Sequence, residues 1–169
     1  KNEISDISSL IYTSGTTSSP KGVPIKHENT IFTTKNIINI LKYSNSDIDI
    51  IPLSLSHSFG LGCFHTALFV GSTLILHKNT MNILEVLNSI KNNNATTFAA
   101  VPATLTSLVN DFPEKFVEKC SGLRLIITNS TKVPEDTINK ILKLLPDTKF
   151  ATYYGLTEAS RSTFMIFNE

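Results

Sequence analysis

The chain has 169 residues, 41% of them hydrophobic and 17% charged, which suits a globular unit with its own core and excludes a disordered segment. Fifteen basic and fourteen acidic side chains leave a formal charge of +1, so charge gives no case for nucleic acid or an anionic membrane surface as partner. No apolar run approaches the roughly 18 residues of a membrane span. Cys63 and Cys120 have the spacing of neither a zinc site nor a disulfide framework, so a reducing, cytoplasmic location is expected.

In chain order, ISSLIYT (Ile7–Thr13) reads as a strand feeding a loop of Ser, Thr and Gly. ENTIFTTKNIINILKY (Glu28–Tyr43) carries Ile31, Ile37, Ile38 and Leu41 at helical spacing. DIIPL (Asp49–Leu53) is a second strand, and FGLGCFHTALFVG (Phe59–Gly71) a helix that is apolar on all sides. STLILH (Ser72–His77) is a third strand, followed by a helix over Asn82–Asn92 with Ile83, Val86, Leu87 and Ile90 on one face. TTFAAV (Thr96–Val101) is a fourth strand, and Pro102 opens a helix through Val109. LRLIIT (Leu123–Thr128) is a fifth strand, and Pro134 precedes a helix over Glu135–Leu145. KFATYYG (Lys149–Gly155) is a sixth strand and TFMIF (Thr163–Phe167) a seventh.

Strands this apolar belong in a sheet covered on both sides. Their alternation with helices predicts an α/β fold: a doubly wound, largely parallel sheet with helices on both faces. Ligands of such sheets sit at the carboxyl ends of strands. The two hydroxyl-rich segments YTSGTTSSPKGV (Tyr12–Val23) and YYGLTEAS (Tyr153–Ser160) both begin where a strand ends, so they are expected to share one edge.

Taken alone, Tyr12–Val23 reads either as a solvated turn or as a phosphate cradle, in which backbone N–H groups and hydroxyls meet phosphate oxygens beside the Lys21 ammonium. It is not a nucleotide P-loop of the G-x-x-x-x-G-K-[ST] type, because Pro20 and Gly22 stand at two of its defining positions. The histidines His27, His65 and His77 have no metal-ligand spacing and read as structural or solvated.

YTSGTTSSPKGV does closely resemble the signature loop of the adenylate-forming superfamily, Y-T-S-G-T-T-G-x-P-K-G-V, departing from it at Ser18. Two more segments occur in that family's order and spacing. LSLSHSFGLG (Leu53–Gly62) is similar to the segment whose histidine lies near the carboxylate pocket, and YYGLTEAS to the Y-G-x-T-E segment at the nucleotide. LRLIITNSTKVPEDT (Leu123–Thr137) resembles the family's L-R-x-x-x-S-G-A-A-P-L-x-x-E, with Asn129, Ser130 and Thr131 in place of Gly-Ala-Ala and Lys132 in place of proline.

The resemblance implies ATP-dependent activation of a carboxylic acid to an acyl-adenylate, with release of pyrophosphate and transfer to CoA or a carrier-protein phosphopantetheine. Thr13, Ser14, Gly15, Thr16, Thr17 and Lys21 would hold the outer phosphates, and Thr157 the α-phosphate. Glu158 would hold Mg²⁺, which keeps several waters and few protein ligands. Tyr154 and Gly155, with Asn129, Ser130 and Thr131, would flank adenine, and His57 would lie beside the acid. Without the resemblance, Tyr154 reads as strand core, Glu158 as a helix amino-terminal acid and His57 as a cap. Leu156 stands where many peptide-synthetase domains carry proline, which points to an acyl- or aryl-acid ligase.

The resemblance covers nearly all of residues 1–169 but only part of the family's architecture. The chain is therefore expected to be one α/β subdomain of a larger AMP-binding amino-terminal domain, without the mobile carboxyl-terminal domain, inactive by itself and prone to weak self-association. The other reading is a non-catalytic nucleotide-binding or assembly module that keeps the fold.

Overall fold

The computed structural model describes residues 6–13, 20–77 and 82–168. Strands β1 (Ile7–Thr13) and β2 (Lys21–Lys26) form an antiparallel hairpin that leads into α1 (His27–Leu41). Then come β3 (Ile48–Ile51), α2 (Ser58–Val70), β4 (Thr73–Leu76), α3 (Ile83–Asn92) and β5 (Thr97–Ala99). Helices α4 (Pro102–Asp111) and α5 (Pro113–Cys120) precede β6 (Leu125–Thr128), and α6 (Glu135–Leu144) precedes β7 (Lys149–Tyr154) and β8 (Thr163–Ile166).

The main sheet has six strands in the order β4-β3-β5-β6-β7-β8. All its pairings are parallel except β7 with β8. Adjacent residues of one strand go to opposite faces, as the pleat requires. Ile50, Phe98, Ile126 and Phe150 pack under α3, α4, α5 and α6. Their neighbours Ile51, Ala99, Leu125, Ile127 and Ala151 pack under α1 and α2. Two apolar layers thus cover one sheet, which is the predicted doubly wound α/β arrangement.

Two elements differ from the sequence reading. Ile7–Thr13 does not join the main sheet but pairs with Lys21–Lys26, a segment that Gly22 and Pro24 make look like a turn. A proline is tolerated there because a two-stranded ribbon leaves one side of each strand without ladder partners. The helix read as ending at Val109 runs on to Asp111, and a further one, α5, follows at once. Pro113 occupies its first turn, and Phe116 and Cys120, four apart, are fully buried.

Local chemistry sets several boundaries. The Asn82 side chain caps α3 by accepting from the Glu85 N–H at 3.2 Å, with Glu85 in the first turn and Lys91 in the last. The amino ends of the strands are tied by Asp47, which accepts from Arg124 Nε and Nη2 at 2.7 and 2.6 Å, Thr96 Oγ1 at 2.7 Å and the Ser44 N–H at 2.9 Å. Arg124 Nη1 also donates to the Leu41 carbonyl at 3.0 Å. This buried network pins the sheet at the edge opposite the site, leaving the carboxyl edge to be shaped by loops.

Candidate functional site at the carboxyl edge of the sheet

The chain winds outward from β3 to β4 through α2, then returns past β3 to β5 through α3. Ligands bind at such reversals of winding, outside the carboxyl ends of the strands. A cavity of about 270 Å³ lies there, lined by Leu53, His57, Phe59, Ala100, Val101 and Ser130 among others. His57 sits at the amino end of α2 and makes no side-chain capping bond, so its capping role is not realised. Gly60 lets α2 approach the preceding loop: a Cβ there would strike the Ser54 carbonyl.

A second cavity, about 510 Å³, lies between the β1–β2 hairpin, α1, α2 and the turn after β7. Thr157, Glu158 and Arg161 line it from the turn, Leu61, Gly62 and His65 from α2, and Ile11 and Ile25 from the hairpin. Burial, and then the nearby Arg161 guanidinium, push the His65 imidazole below its ordinary value. A third cavity, about 750 Å³, is lined by Asn129, Ser130, Thr131, Tyr153, Tyr154 and residues of β8. The Tyr154 ring is 66% exposed, an available stacking face rather than the strand core the bare sequence suggested.

The sequence-expected residues are therefore gathered in part. Thr157 and Glu158 share one cavity, Asn129–Thr131 share another with Tyr154, and His57 faces a third with Ser130. Gly155 makes the turn possible, since a Cβ there would meet the Arg161 N–H and the Ala159 carbonyl. Lys21 and Thr13 face each other across the open end of the hairpin and line none of these cavities. Ser14, Gly15, Thr16 and Thr17 lie outside the described residues. The expectation that Tyr12–Val23 and Tyr153–Ser160 share one edge lies largely outside the described residues; the hairpin reaches the cavity of Thr157 and Glu158 through Ile11 and Ile25 instead.

The sequence reading passed over Arg161. It is 8% exposed, donates from Nη2 to the Phe59 carbonyl at 3.2 Å, and lies 5.1 Å from the centroid of the Tyr153 ring. Tyr153 in turn packs edge-on against Phe59 at 5.5 Å. Burial raises the Tyr153 phenol well above its ordinary value, although Asn129 and Arg161 beside its hydroxyl pull the other way.

The donor set accommodates a nucleotide with its metal. Exposed Tyr154 and the short side chains at 129–131 offer a face and polar atoms to a base. Among the described residues no group of three His, Cys, Asp or Glu could cage a metal ion. One exposed carboxylate, Glu158, beside a hydroxyl suits a Mg²⁺ that arrives on phosphates and keeps its waters. No described helix is long and apolar enough to cross a membrane.

Known proteins resemble the chain in sequence and in shape. Over 162 residues the chain is 31% identical to the acyl-CoA ligase sidI of Beauveria bassiana (strain ARSEF 2860), covering 95% of this chain and 28% of that protein. The structure of VinN with L-aspartate superposes with a TM-score of 0.84 at 29% identity, over 98% of this chain and 41% of that one. O-succinylbenzoate coenzyme A synthetase (MenE) from Bacillus subtilis, in complex with AMP, gives 0.86 at 26% identity, over 97% and 33%. The chain thus spans between about a quarter and two fifths of the length of these relatives. The family described as AMP-binding enzyme matches residues 1–169, and the chain belongs to it.

Proposed function

We propose that the full-length protein uses ATP to activate a carboxylic acid and passes the acyl group to a thiol, that of CoA or of a carrier-protein phosphopantetheine. In the first step a carboxylate oxygen attacks the α-phosphorus, the bond to the β-phosphate oxygen breaks, and pyrophosphate leaves. In the second, the thiol sulfur attacks the acyl carbon and AMP departs. Residues 1–169 would be the central subdomain of the amino-terminal domain, which fits the 28% of the sidI protein that they span.

The observation that carries the reading is the family match over residues 1–169, supported by Thr157 and Glu158 on one cavity and Tyr154 on another at the carboxyl end of β7. Thr157 would donate its hydroxyl to the α-phosphate as charge grows there, and Glu158 would hold Mg²⁺. The metal would supply charge neutralisation to the phosphates. Tyr154 and residues 129–131 would orient the base, and Lys21 with residues Ser14, Gly15, Thr16 and Thr17 would hold the outer phosphates. The protein's share is positioning and electrostatics. The buried, unpaired thiols Cys63 and Cys120 support a reducing, cytoplasmic setting.

Exchange of labelled pyrophosphate into ATP by the full-length protein, run across a panel of carboxylic acids, tests this. Acid-dependent exchange is expected. Nucleotide binding without exchange for any acid would leave a non-catalytic module in its place.

A further inference from the structure

We infer that the acid activated at this site carries a second carboxylate, and that Arg161 holds it within the cavity that also bears Thr157. This rests on the ligase reading above and names its substrate class. A guanidinium presents five N–H donors. Arg161 donates to the Phe59 carbonyl, lies beside the Cys63 sulfur and the Tyr153 hydroxyl, and lays its face on the Tyr153 ring, so its neighbours are neutral groups. Among the described residues no carboxylate comes within 4.0 Å of it.

A nearly buried cation without a counter-ion is costly unless something else supplies the charge. The acids nearby do not. Asp49, in the same layer of the core, accepts from Ser72 and Thr97. Glu158 lines the same cavity but is exposed and unpaired with the guanidinium. By contrast Arg124, the other charged guanidinium in the core layers, has its carboxylate in Asp47. The contrast marks Arg161 as a cation whose partner comes from outside the described chain.

The surroundings are shaped for that cation. A Cβ added at Gly62 would fall on the guanidinium itself, so the helix gives up a side chain where the arginine lies. The Tyr153 ring, which lines the neighbouring cavity, gives the guanidinium a face to lie on. A planar guanidinium fork fits a carboxylate in two-point contact. The cavity, about 510 Å³, reaches from Thr157 to Arg161. A small dicarboxylic acid would therefore put its reacting carboxylate toward Thr157 and the other against Arg161.

The test uses the full-length protein and pyrophosphate exchange with matched pairs: straight-chain dicarboxylic acids, and monocarboxylic acids of equal length ending in a methyl group. Wild type should favour the diacid by about tenfold or more in kcat/KM, expressed mainly in KM. Arg161→Gln should remove or invert that preference, and Arg161→Lys should keep part of it, because a point charge replaces the fork. Gly62→Ala, which displaces the guanidinium without removing it, should act in the same direction, while KM for ATP moves much less in each variant. Equal use of both acids by wild type, or an unchanged preference in Arg161→Gln, would overturn the inference and leave the ligase reading standing. Exchange with no acid at all would overturn both. Should Arg161→Gln fail to fold, the wild-type preference and the partial retention in Arg161→Lys decide.

Discussion

At the scale of single residues, the matched segments make definite demands on charge. Among the described residues Glu158 is the sole exposed carboxylate on its cavity, and Lys21 stands at the end of the hairpin, next to the segment proposed to hold phosphates. Loss of a charge-assisted bond costs about 1.5–3 kcal/mol, or about tenfold and more in rate. Glu158→Gln should accordingly raise the Mg²⁺ concentration needed for half-maximal exchange, and Lys21→Ala should raise KM for ATP or lower kcat. A magnesium titration with wild-type kinetics in both variants would remove the two assignments. The cysteines make the opposite demand, for inertness. Burial pushes the Cys63 thiol up to about 11 and Cys120 up to about 12. At about pH 8.5, the ordinary thiol value, both should stay protonated. Iodoacetamide should leave the peptides containing them unlabelled in the native protein and label both in denaturant. Because the folded values are raised, the sign is fixed: their contribution to stability is complete below the ordinary thiol value and is lost as pH climbs through the folded one. Labelling of native Cys63 at that pH would mean that the layer under α2 opens.

At the scale of elements, the pattern of apolar residues was readable wherever one strand or helix face decided its own burial. Ile50 and Ile51 go to opposite layers, as do Phe98 and Ala99, and that alternation needs no distant partner to be recognised. Where partners decide, the sequence was mute. KGVPIK is a strand only because Ile7–Thr13 pairs with it. PEKFVEKC carries a proline start and two apolar residues one turn apart, enough to suggest α5 but too short to separate it from a loop. The candidate site divides in the same way. Thr157, Glu158, Tyr154 and the 129–131 turn were found by resemblance of local segments. Arg161 was not, since one arginine among small polar residues reads as solvated, and its burial depends on Phe59, 102 residues away. Asp47 and Arg124, 77 residues apart, are hidden for the same reason. Burial by itself would raise the Asp47 carboxyl, but Arg124 and the N–H and O–H donors outweigh it and hold the group below the usual carboxylate range. Its stabilising share is present above the ordinary aspartate value and is lost as pH falls through the folded one. Removing one partner of a buried pair costs about 3–5 kcal/mol. With Arg124 one third exposed, Asp47→Asn should cost toward the lower end, about 3 kcal/mol, read from denaturant unfolding. The penalty should shrink as pH is lowered. A constant penalty across pH would mean the carboxylate charge is not what ties the strands.

At the scale of the whole molecule, the surface left by these two layers is uneven. Helix α2 is apolar all round, and the structure buries only one side of it: Phe59, Cys63 and Ala67 are covered, while Leu68 and Phe69 are 60% and 52% exposed. The helix runs into β4, whose Leu76 is 47% exposed and which among the described residues pairs only with β3. An unpaired edge with apolar side chains is a template for another strand. An exposed apolar patch above roughly 400 Å² is unusual on a monomer. Covering that much would yield about 10 kcal/mol at about 25 cal/mol per Å². Association costs about 4–15 kcal/mol in lost freedom, so the two nearly cancel. Residues 1–169 produced alone should therefore self-associate weakly and in a concentration-dependent way, not as a tight dimer. Sedimentation velocity over a wide concentration range reads this directly. Leu68→Glu with Phe69→Glu should return the piece to a monomer, and Pro in place of Ile75 should do so if the edge strand is the contact. A monomer at every concentration would show that the patch is too small or too divided to hold a partner. Association that the α2 changes leave untouched would move the contact elsewhere, to the exposed Leu10 and Tyr12 of the hairpin or to Phe32 of α1.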